Sequence, residues 1–307
     1  MEHKTDWRTR YQDRIGTAAS AMKLVKPGNN IFIGTGCAQP EHLVQALAKH
    51  SSHIYDAHIL QLLAMGSAPY LYENLRERFK MNSFFVAANV RDALERGLGD
   101  YTPIFLSEIP HEFESGRLPV DVALISVTPP DNNGLCSFGV SVDIVKSAAA
   151  NAKYVIAQVN SSMPRIHGDS YIHVSNIDVL VPRDEPILTV PTYEPDDDLR
   201  KIGQNLARLV EDGSTIECGI GRIPQALAEF LKGKKDLGVH TEMFSDWIID
   251  LIDCGAITCT KKTINRGKVV ASFAMGSRRL YDFIDNNDFF EFPPTEYVND
   301  PYVISRH

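Results

Sequence analysis

The clearest candidate for chemistry in this sequence is an acidic residue in an apolar segment. The segment Leu237–Asp246 predicts a strand that ends on Glu242, with His240 on the same side of the strand. Ligands of open α/β sheets bind beyond the carboxyl ends of the strands, so Glu242 stands where such proteins do chemistry. Taken alone, such a glutamate is more often a hydrogen-bonded loop residue or a surface charge, and such a histidine is more often packed. Asp246 and Asp250 follow at helical spacing and predict one solvated or capping face.

Two glycine turns are the second candidate. The segments Ile33–Pro40 and Cys218–Pro224 both predict a strand, a Gly-x-Gly turn and a proline that opens a helix. Such a turn exposes backbone N–H groups, and the following helix N-terminus attracts anions such as phosphates or oxyanions. Taken alone, such a turn is more often only a tight connection between a strand and a helix. Neither turn has the third glycine of a dinucleotide site or the Lys-Ser/Thr of a P-loop.

A third candidate is the loop Thr128–Asp143, which places turn-forming and small polar residues after an apolar strand. A substrate loop and a rigid structural loop both fit this composition. The histidines and cysteines form no CxxC or HExxH pattern, so the sequence predicts no metal site.

The composition limits the class of protein that can position these residues. The chain has 307 residues, of which 44% are hydrophobic and 23% charged, and its net charge is −8. An acidic chain without a long Lys/Arg cluster argues against nucleic-acid binding, so we expect a small-molecule partner. The charged segment Met1–Arg14 predicts neither a signal peptide nor an anchor, and no apolar run is long enough to predict a membrane span. Five scattered cysteines favour reduced thiols in a cytoplasm.

Apolar, β-branched segments alternate with amphipathic ones in the first part of the chain. This pattern predicts a mostly parallel sheet covered by helices. The predicted strands are Asn30–Ile33, His58–Leu63, Ser83–Ala87, Val120–Val127 and Lys153–Val159. The predicted helices are Pro40–His50, Pro69–Lys80 and Ser141–Asn151.

Two proline-rich, acidic segments, Val181–Pro186 and Pro191–Asp196, predict a linker between domains. A helix over about Asp197–Glu211 follows, and the second glycine turn repeats the first. We therefore predict an N-terminal α/β domain over residues 1–187 and a related α/β domain over residues 195–307, both with open sheets.

Several segments together resemble the acetyl-CoA hydrolase/transferase family, which includes acetate, succinate and 4-hydroxybutyrate CoA-transferases. The resemblance runs along the whole chain. It is most specific in the loop Thr128–Asp143, in Asn160–Arg165, in the Gly-Ile-Gly-x-Ile-Pro turn and in Gly-Val-His-Thr-Glu-Met-Phe-Ser-Asp.

The resemblance implies a fold of the CoA-transferase type and a catalytic nucleophile at Glu242. It implies that the CoA and acyl site is lined by Gly219, Ile220, Gly221, Arg222, Ile223 and Pro224. CoA would be a substrate, with no metal and no permanently bound cofactor. The expected partners are acyl-CoA and small carboxylates, with no nucleic acid and no membrane, and the expected assembly is a homo-oligomer such as a homodimer in the cytoplasm.

The sequence departs from the family pattern at three positions. Family members often have Gln at Glu217, a small residue at Arg222 and Gly at Trp247, so the acyl preference is open. Relatives also continue beyond His307 into a Gly-Gly-Gln-type loop, so the resemblance predicts that the second domain is incomplete.

Other functions fit parts of the pattern. An acyl-CoA hydrolase would use the same Glu242 and differ only in the access of water. An inactive ligand-sensing or assembly module would keep the fold without the reaction. A sugar-phosphate isomerase would need a general base beside a phosphate loop, and no Lys or Ser/Thr-rich anion loop stands next to Glu242 in the sequence.

Overall fold

The computed structural model describes residues 6–191 and 194–307. The described chain divides into two compact units. The first unit runs to Met163 and resumes over Tyr171–Leu188, and the second comprises Pro164–Ser170 and the chain from Thr189 onward. Both units alternate strands and helices, which confirms the predicted α/β class.

The first unit is built on a seven-stranded sheet in the order β4-β3-β2-β1-β5-β7-β9, with every neighbouring pair parallel. Its strands are β1 Asn30–Ile33, β2 Ala57–Gln61, β3 Phe79–Ser83, β4 Gly99–Tyr101, β5 Val122–Val127, β7 Tyr154–Val159 and β9 Val179–Pro182; β6 Leu135–Ser137 and β8 Tyr171–His173 form an antiparallel ribbon. Its helices are α1 Trp7–Arg10, α2 Ala18–Ala21, α3 Glu41–Lys49, α4 Ala88–Glu95, α5 Ile109–Glu114 and α6 Val145–Asn151. Every residue of β5 is buried, as expected for a parallel strand covered on both faces.

The second unit contains a four-stranded parallel sheet in the order β10-β11-β12-β13. Its strands are β10 Thr215–Ile216, β11 Gly238–Phe244, β12 Val269–Ala274 and β13 Phe290–Glu291. Its helices are α7 Asp197–Ala207, α8 Arg222–Leu231, α9 Asp246–Asp253, α10 Arg278–Ile284, α11 Thr295–Val298 and α12 Pro301–Ile304. Helices α7 and α8 approach closely at Gly203, where a Cβ would lie 2.7 Å from the carbonyl oxygen of Ala226.

The short segment Pro164–Ser170 is the one part of the second unit that lies early in the chain. The amide of Arg165 donates to the carboxylate of Asp285 at 2.7 Å, and the carbonyl of Arg165 accepts from the amide of Asn286 at 2.7 Å. The amide of Phe292 donates to the carbonyl of His167 at 2.9 Å. This segment is therefore hydrogen-bonded to the region around β13.

Two predicted elements of the first unit are wrong. The predicted helix Pro69–Lys80 is two short 3-10 turns, Pro69–Leu71 and Glu73–Leu75, followed by β3. The predicted strand Ser83–Ala87 is displaced, because β3 ends at Ser83. The side chains of β3 alternate between buried and more exposed, which is the period of a strand.

The linker prediction is only partly within the described chain. Thr192 and Tyr193 of the segment Pro191–Asp196 lie outside the described residues, as do the first five residues of the N-terminal prediction. The segment Val181–Pro186 overlaps the end of β9. Among the described residues, no helix has the length and apolarity needed to cross a membrane.

Candidate active site

Glu242 lies within β11 rather than at its end, which corrects the predicted strand boundary. The strand continues for two residues because Met243 and Phe244 pair with Phe273 and Ala274 of β12. Glu242 is only half-buried, whereas its neighbours in β11 are buried. The backbone carbonyl of Glu242 accepts a hydrogen bond from the Ser272 hydroxyl at 2.9 Å. The structure therefore holds the backbone of Glu242 rigidly and leaves its side chain partly accessible.

The carboxylate of Glu242 has one hydrogen-bond donor that the sequence did not reveal. Nδ2 of Asn299, the residue after α11, donates to Oε2 of Glu242 at 2.9 Å. Burial raises the pKa of Glu242, and the Asn299 hydrogen bond opposes that rise because it favours the ionised form. The Oδ1 atom of Asn299 is buried and has no hydrogen-bond partner among the described residues. Asn299 thus orients the carboxylate and stabilises its charge.

His240 is a packed, backbone-bonded histidine, in agreement with its more frequent structural role. Its Nε2 atom lies 2.9 Å from the carbonyl oxygen of Val298, and its ring lies 4.5 Å from that of His307. Burial lowers the pKa of His240, and the nearby charge of Lys262 lowers it further. The neutral form is favoured, so His240 packs the Glu242 strand against residues 298–307 rather than supplying a charge.

A second carboxyl group, Glu217, lies near Glu242. Partial burial raises the pKa of Glu217, and the negative charge of Glu242 raises it further. Burial raises the pKa of the adjacent Cys218 thiol to about 12. Because a thiolate rather than a thiol is the reactive form, Cys218 is a poor nucleophile at neutral pH.

The predicted glycine turn leads from β10 into α8. Gly219 to Ile223 are exposed, and a Cβ added at Gly219 or Gly221 would meet no atom within 4 Å. Gly221 has φ +151°, a conformation that side chains rarely adopt. Pro224 is the third residue of α8 rather than its first, and in the first unit Pro40 immediately precedes α3. The backbone of this turn is open to a ligand.

A cavity of about 190 Å³ lies beside this turn. Its lining is mostly apolar and consists of Val190, Pro191, Ile220, Gly221, Arg222, Gln225, Met243, Ser245, Asp246, Trp247, Met275 and Gly276. Met243 contributes to the cavity whereas Glu242 does not, because successive side chains of a strand point to opposite faces. The structure thus brings three of the predicted turn residues, Ile220 to Arg222, together around a cavity that Met243 lines and Glu242 does not.

The two aspartates after Glu242 have structural roles. Asp246 accepts hydrogen bonds from the amide and the hydroxyl of Ser277, the residue that precedes α10. Asp250 and Asp253 both bind the guanidinium of Arg279, at 2.8 and 2.9 Å. Asp250 is exposed, as predicted for a solvated face, whereas Asp246 is half-buried and lines the cavity.

The loop Thr128–Asp143 is a largely buried, hydrogen-bonded structure in the first unit. The amide of Ser137 donates to the Thr128 hydroxyl at 2.9 Å, and the amide of Thr128 donates to the Ser137 carbonyl at 2.9 Å. Asp143 accepts from the hydroxyl of Thr35, in the first glycine turn. These hydrogen bonds order the loop, and whether it also contacts a substrate stays a prediction. No cluster of three potential metal ligands occurs in the described part of the chain.

Comparison with known proteins agrees with these features. A family profile described as the acetyl-CoA hydrolase/transferase N-terminal domain matches residues 1–191, and the corresponding C-terminal domain profile matches residues 276–307. A 4-hydroxybutyrate coenzyme A transferase of Clostridium kluyveri is 43% identical over 98% of this chain and 70% of its own length. A succinyl-CoA:acetate/propanoyl-CoA:succinate CoA transferase of Fasciola hepatica is 42% identical over 92% of this chain and 59% of its own length.

A solved structure shows the same relationship in three dimensions. The crystal structure of a 4-hydroxybutyrate CoA-transferase from Porphyromonas gingivalis matches this chain with a TM-score of 0.86 and 37% identity. The match covers 97% of this chain and 72% of that protein. The chain therefore spans somewhat more than half to nearly three quarters of the length of these relatives.

Proposed function

This chain belongs to the acetyl-CoA hydrolase/transferase family, and from that premise we propose that it moves CoA from an acyl-CoA to a small carboxylic acid by a ping-pong reaction through Glu242. The acid belongs to the acetate, butyrate, succinate or 4-hydroxybutyrate class. The observation that carries the proposal is the half-buried carboxylate of Glu242, oriented by the Asn299 amide at 2.9 Å. The relatives named above are CoA-transferases, which supports the reaction type.

The proposed reaction uses one carboxylate twice. An oxygen of Glu242 attacks the thioester carbonyl, CoA leaves as the thiolate, and a mixed anhydride forms. The thiolate then attacks the Glu242 carbonyl of the anhydride, and the first acid leaves as a carboxylate. A second carboxylate attacks the glutamyl-CoA thioester, and the steps run in reverse. No acyl-activation energy is lost to water in this sequence.

The surroundings of Glu242 suit this role. A carboxylate needs no general base, but it must be ionised and poorly hydrated. Partial burial removes water from Glu242, while the Asn299 hydrogen bond favours the charged form. The pKa of about 12 at Cys218 argues against the competing nucleophile nearest to the turn.

In this proposal residues Gly219, Ile220, Gly221, Arg222, Ile223 and Pro224 line the path of CoA and the acyl group. The open space above Gly219 and Gly221 supports a close approach of a ligand to the backbone. Backbone N–H groups in such a turn would stabilise the oxyanion of each tetrahedral intermediate, a contribution worth about 3–4 kcal/mol per donor in other enzymes.

Mass spectrometry of the protein after incubation with acetyl-CoA, butyryl-CoA or succinyl-CoA tests the proposal. We expect a CoA adduct on Glu242 that hydroxylamine cleaves and borohydride reduces. Glu242→Gln removes the charge and should abolish adduct formation and exchange. Glu242→Asp withdraws the charge by one methylene and should lose about 100-fold in rate, because a displacement of ~1 Å has that effect.

Glu217→Gln is the matched control, since it makes the same change at the neighbouring carboxyl group. It should retain the adduct and alter only the preference among acids. An adduct on Glu217, Asp246 or Cys218, or one that survives Glu242→Gln, would contradict the assignment. Release of CoA without an acceptor acid would identify an acyl-CoA hydrolase, and failure to bind CoA would identify an inactive sensing or assembly module.

The setting of the reaction is part of the same proposal. We propose a homo-oligomer, such as a homodimer, in the cytoplasm, with CoA as a substrate and no permanent cofactor. The odd number and scattered spacing of the five cysteines in the sequence support a reducing compartment. Ile202, Leu206 and Leu209 are exposed apolar side chains in and just after α7, which supports a covered surface there. Light scattering on the purified chain measures the assembly.

A further inference from the structure

Thr241 is a buried hydroxyl residue that lies directly between the two parts of the proposed site. It precedes Glu242 in β11, and its hydroxyl bonds to Cys218, the residue before the glycine turn. Thr241 is 1% exposed, so its side chain is almost completely shielded from solvent. Thr241 therefore connects β11 to the chain segment that leads into the turn.

The hydroxyl of Thr241 makes two hydrogen bonds to one residue. Oγ1 accepts from the amide of Cys218 at 3.0 Å and donates to the carbonyl of Cys218 at 2.8 Å. A single side chain thus satisfies both backbone groups of Cys218. Buried backbone groups are nearly always paired, so these two would otherwise be orphans.

The main-chain pairing of β10 with β11 ends before it reaches Cys218 and Thr241. Strand β10 pairs with β11 only at Thr215↔Gly238 and Ile216↔Val239. Continuing the same register places Cys218 beside Thr241. The side chain of Thr241 therefore replaces the main-chain ladder at the place where β10 ends and the turn begins.

We infer that Thr241 is a positioning residue that fixes the distance between the Glu242 carboxylate and the backbone of the turn at Gly219–Gly221. The inference rests on the proposed function of Glu242 and deepens it. Thr241 directly precedes the nucleophile Glu242, and Cys218, to which its hydroxyl bonds, directly precedes Gly219 of the turn. The turn beyond Cys218 is exposed, so its placement depends on this attachment.

The chemical consequence is a requirement for a hydroxyl at position 241. Attack by Glu242 and stabilisation of the oxyanion need a fixed mutual geometry, and a displacement of ~1 Å costs about 100-fold in rate. Thr241→Val keeps the shape and removes both hydrogen bonds. Thr241→Ser keeps the hydroxyl and removes one methyl group.

The test combines kinetics with amide exchange on the full chain. We expect Thr241→Val to slow adduct formation at saturating acetyl-CoA about 10- to 100-fold, with a change of less than about threefold in the concentration of half-saturation. Thr241→Ser should recover most of the rate. Hydrogen exchange at the Cys218 amide should become faster in Thr241→Val and remain slow in Thr241→Ser.

Thr258→Val controls for a loss of stability. The Thr258 hydroxyl donates to Asp236 at 3.0 Å beside the start of β11, away from Glu242. It should lower the melting temperature without changing the adduct rate or the Cys218 exchange. If Thr241 contributed only to stability, Thr241→Val would behave like Thr258→Val: its melting temperature would fall, and its rate of adduct formation would not change.

The inference and the proposed function fail in different ways. If the wild-type chain forms no glutamyl adduct, the proposed function is overturned and with it the kinetic part of the inference. If the wild type reacts and Thr241→Val reacts at the same rate, the inference alone is overturned. Unchanged exchange at Cys218 in Thr241→Val overturns the proposed attachment whatever the enzyme activity.

Discussion

Asn299 controls the charge of the proposed nucleophile, and its removal should change the pH dependence of the reaction. We consider Asn299→Leu, which keeps the branching of the side chain at Cγ and removes the donor that lies 2.9 Å from Glu242 Oε2. A hydrogen bond to a charged group is worth about 1.5–3 kcal/mol. Its loss should raise the pKa of Glu242, and since 1.36 kcal/mol is a tenfold change in an equilibrium constant, the rate on the acid limb should fall about 10- to 100-fold.

Asn299→Leu should raise the pKa of Glu242 rather than lower it. Burial already raises the pKa of Glu242, and the Asn299 hydrogen bond lowers it. The leucine removes the lowering effect and adds apolar surroundings, so both changes favour the protonated acid. The nucleophile is the carboxylate, so activity disappears when Glu242 becomes protonated. On acidification, the Asn299→Leu variant should therefore lose activity at a higher pH than the wild type.

The assay is the rate of adduct formation at saturating acetyl-CoA, measured from about pH 4 to pH 8. We expect the acid limb of the Asn299→Leu profile to lie at higher pH than that of the wild type, with a rate about 10- to 100-fold lower on that limb. Asn205→Leu, the same change at an exposed position of α7, should leave the limb in place. An unmoved limb, or one displaced to lower pH, would refute the role of Asn299.

Two further predictions concern stability. Burial lowers the pKa of Lys262 from 10.5 to about 8. Between these two values the unfolded chain binds more protons than the folded chain, so folding becomes more favourable as the pH rises. The stability of the wild type relative to Lys262→Met should therefore rise with pH by up to about 3 kcal/mol. Urea denaturation at pH 7.5 and pH 10 measures this difference, and a constant difference would contradict it. Gly203→Val should destabilise the chain by about 1–3 kcal/mol, because the new side chain overlaps the backbone of Ala226. Gln204→Val, at the exposed neighbouring position, is the urea-denaturation control, and equal stability of the two variants would contradict the close packing of α7 and α8.

The regular elements of the fold follow from the sequence where burial and periodicity agree. β1 matches its predicted bounds, and β5 and β7 lie within theirs, because continuous apolar runs are typical of parallel strands. The helix predicted over Pro69–Lys80 is wrong, because the last residues of this segment begin β3 at Phe79. The period-two alternation that identifies β3 covers only five residues, so it is a weak signal in the sequence. The family resemblance and the α/β class are confirmed by the profiles and the relatives.

The candidate site was only partly predictable. Glu242 stands out because it belongs to a recognisable segment, and the comparisons leave its chemical role a prediction. Asn299 carried no local signal, because an asparagine after a helix is common and its partner lies 57 residues away. Thr241 looked like an ordinary strand residue, since only the folded chain brings its hydroxyl to Cys218. Side chains that act through distant partners are visible only after folding.

The segment Pro164–Ser170 also constrains how the protein is made. Arg165 leaves the ribosome 120 residues before its partner Asp285. At ~5–20 residues per second, that interval is roughly 6–24 s, during which the first unit can fold but this segment has no partner. No single cut of the gene separates the two units, because a clone that starts at Thr189 omits a piece of the second one. Expression of the complete second unit by itself therefore requires a graft or a permuted chain order rather than a truncation.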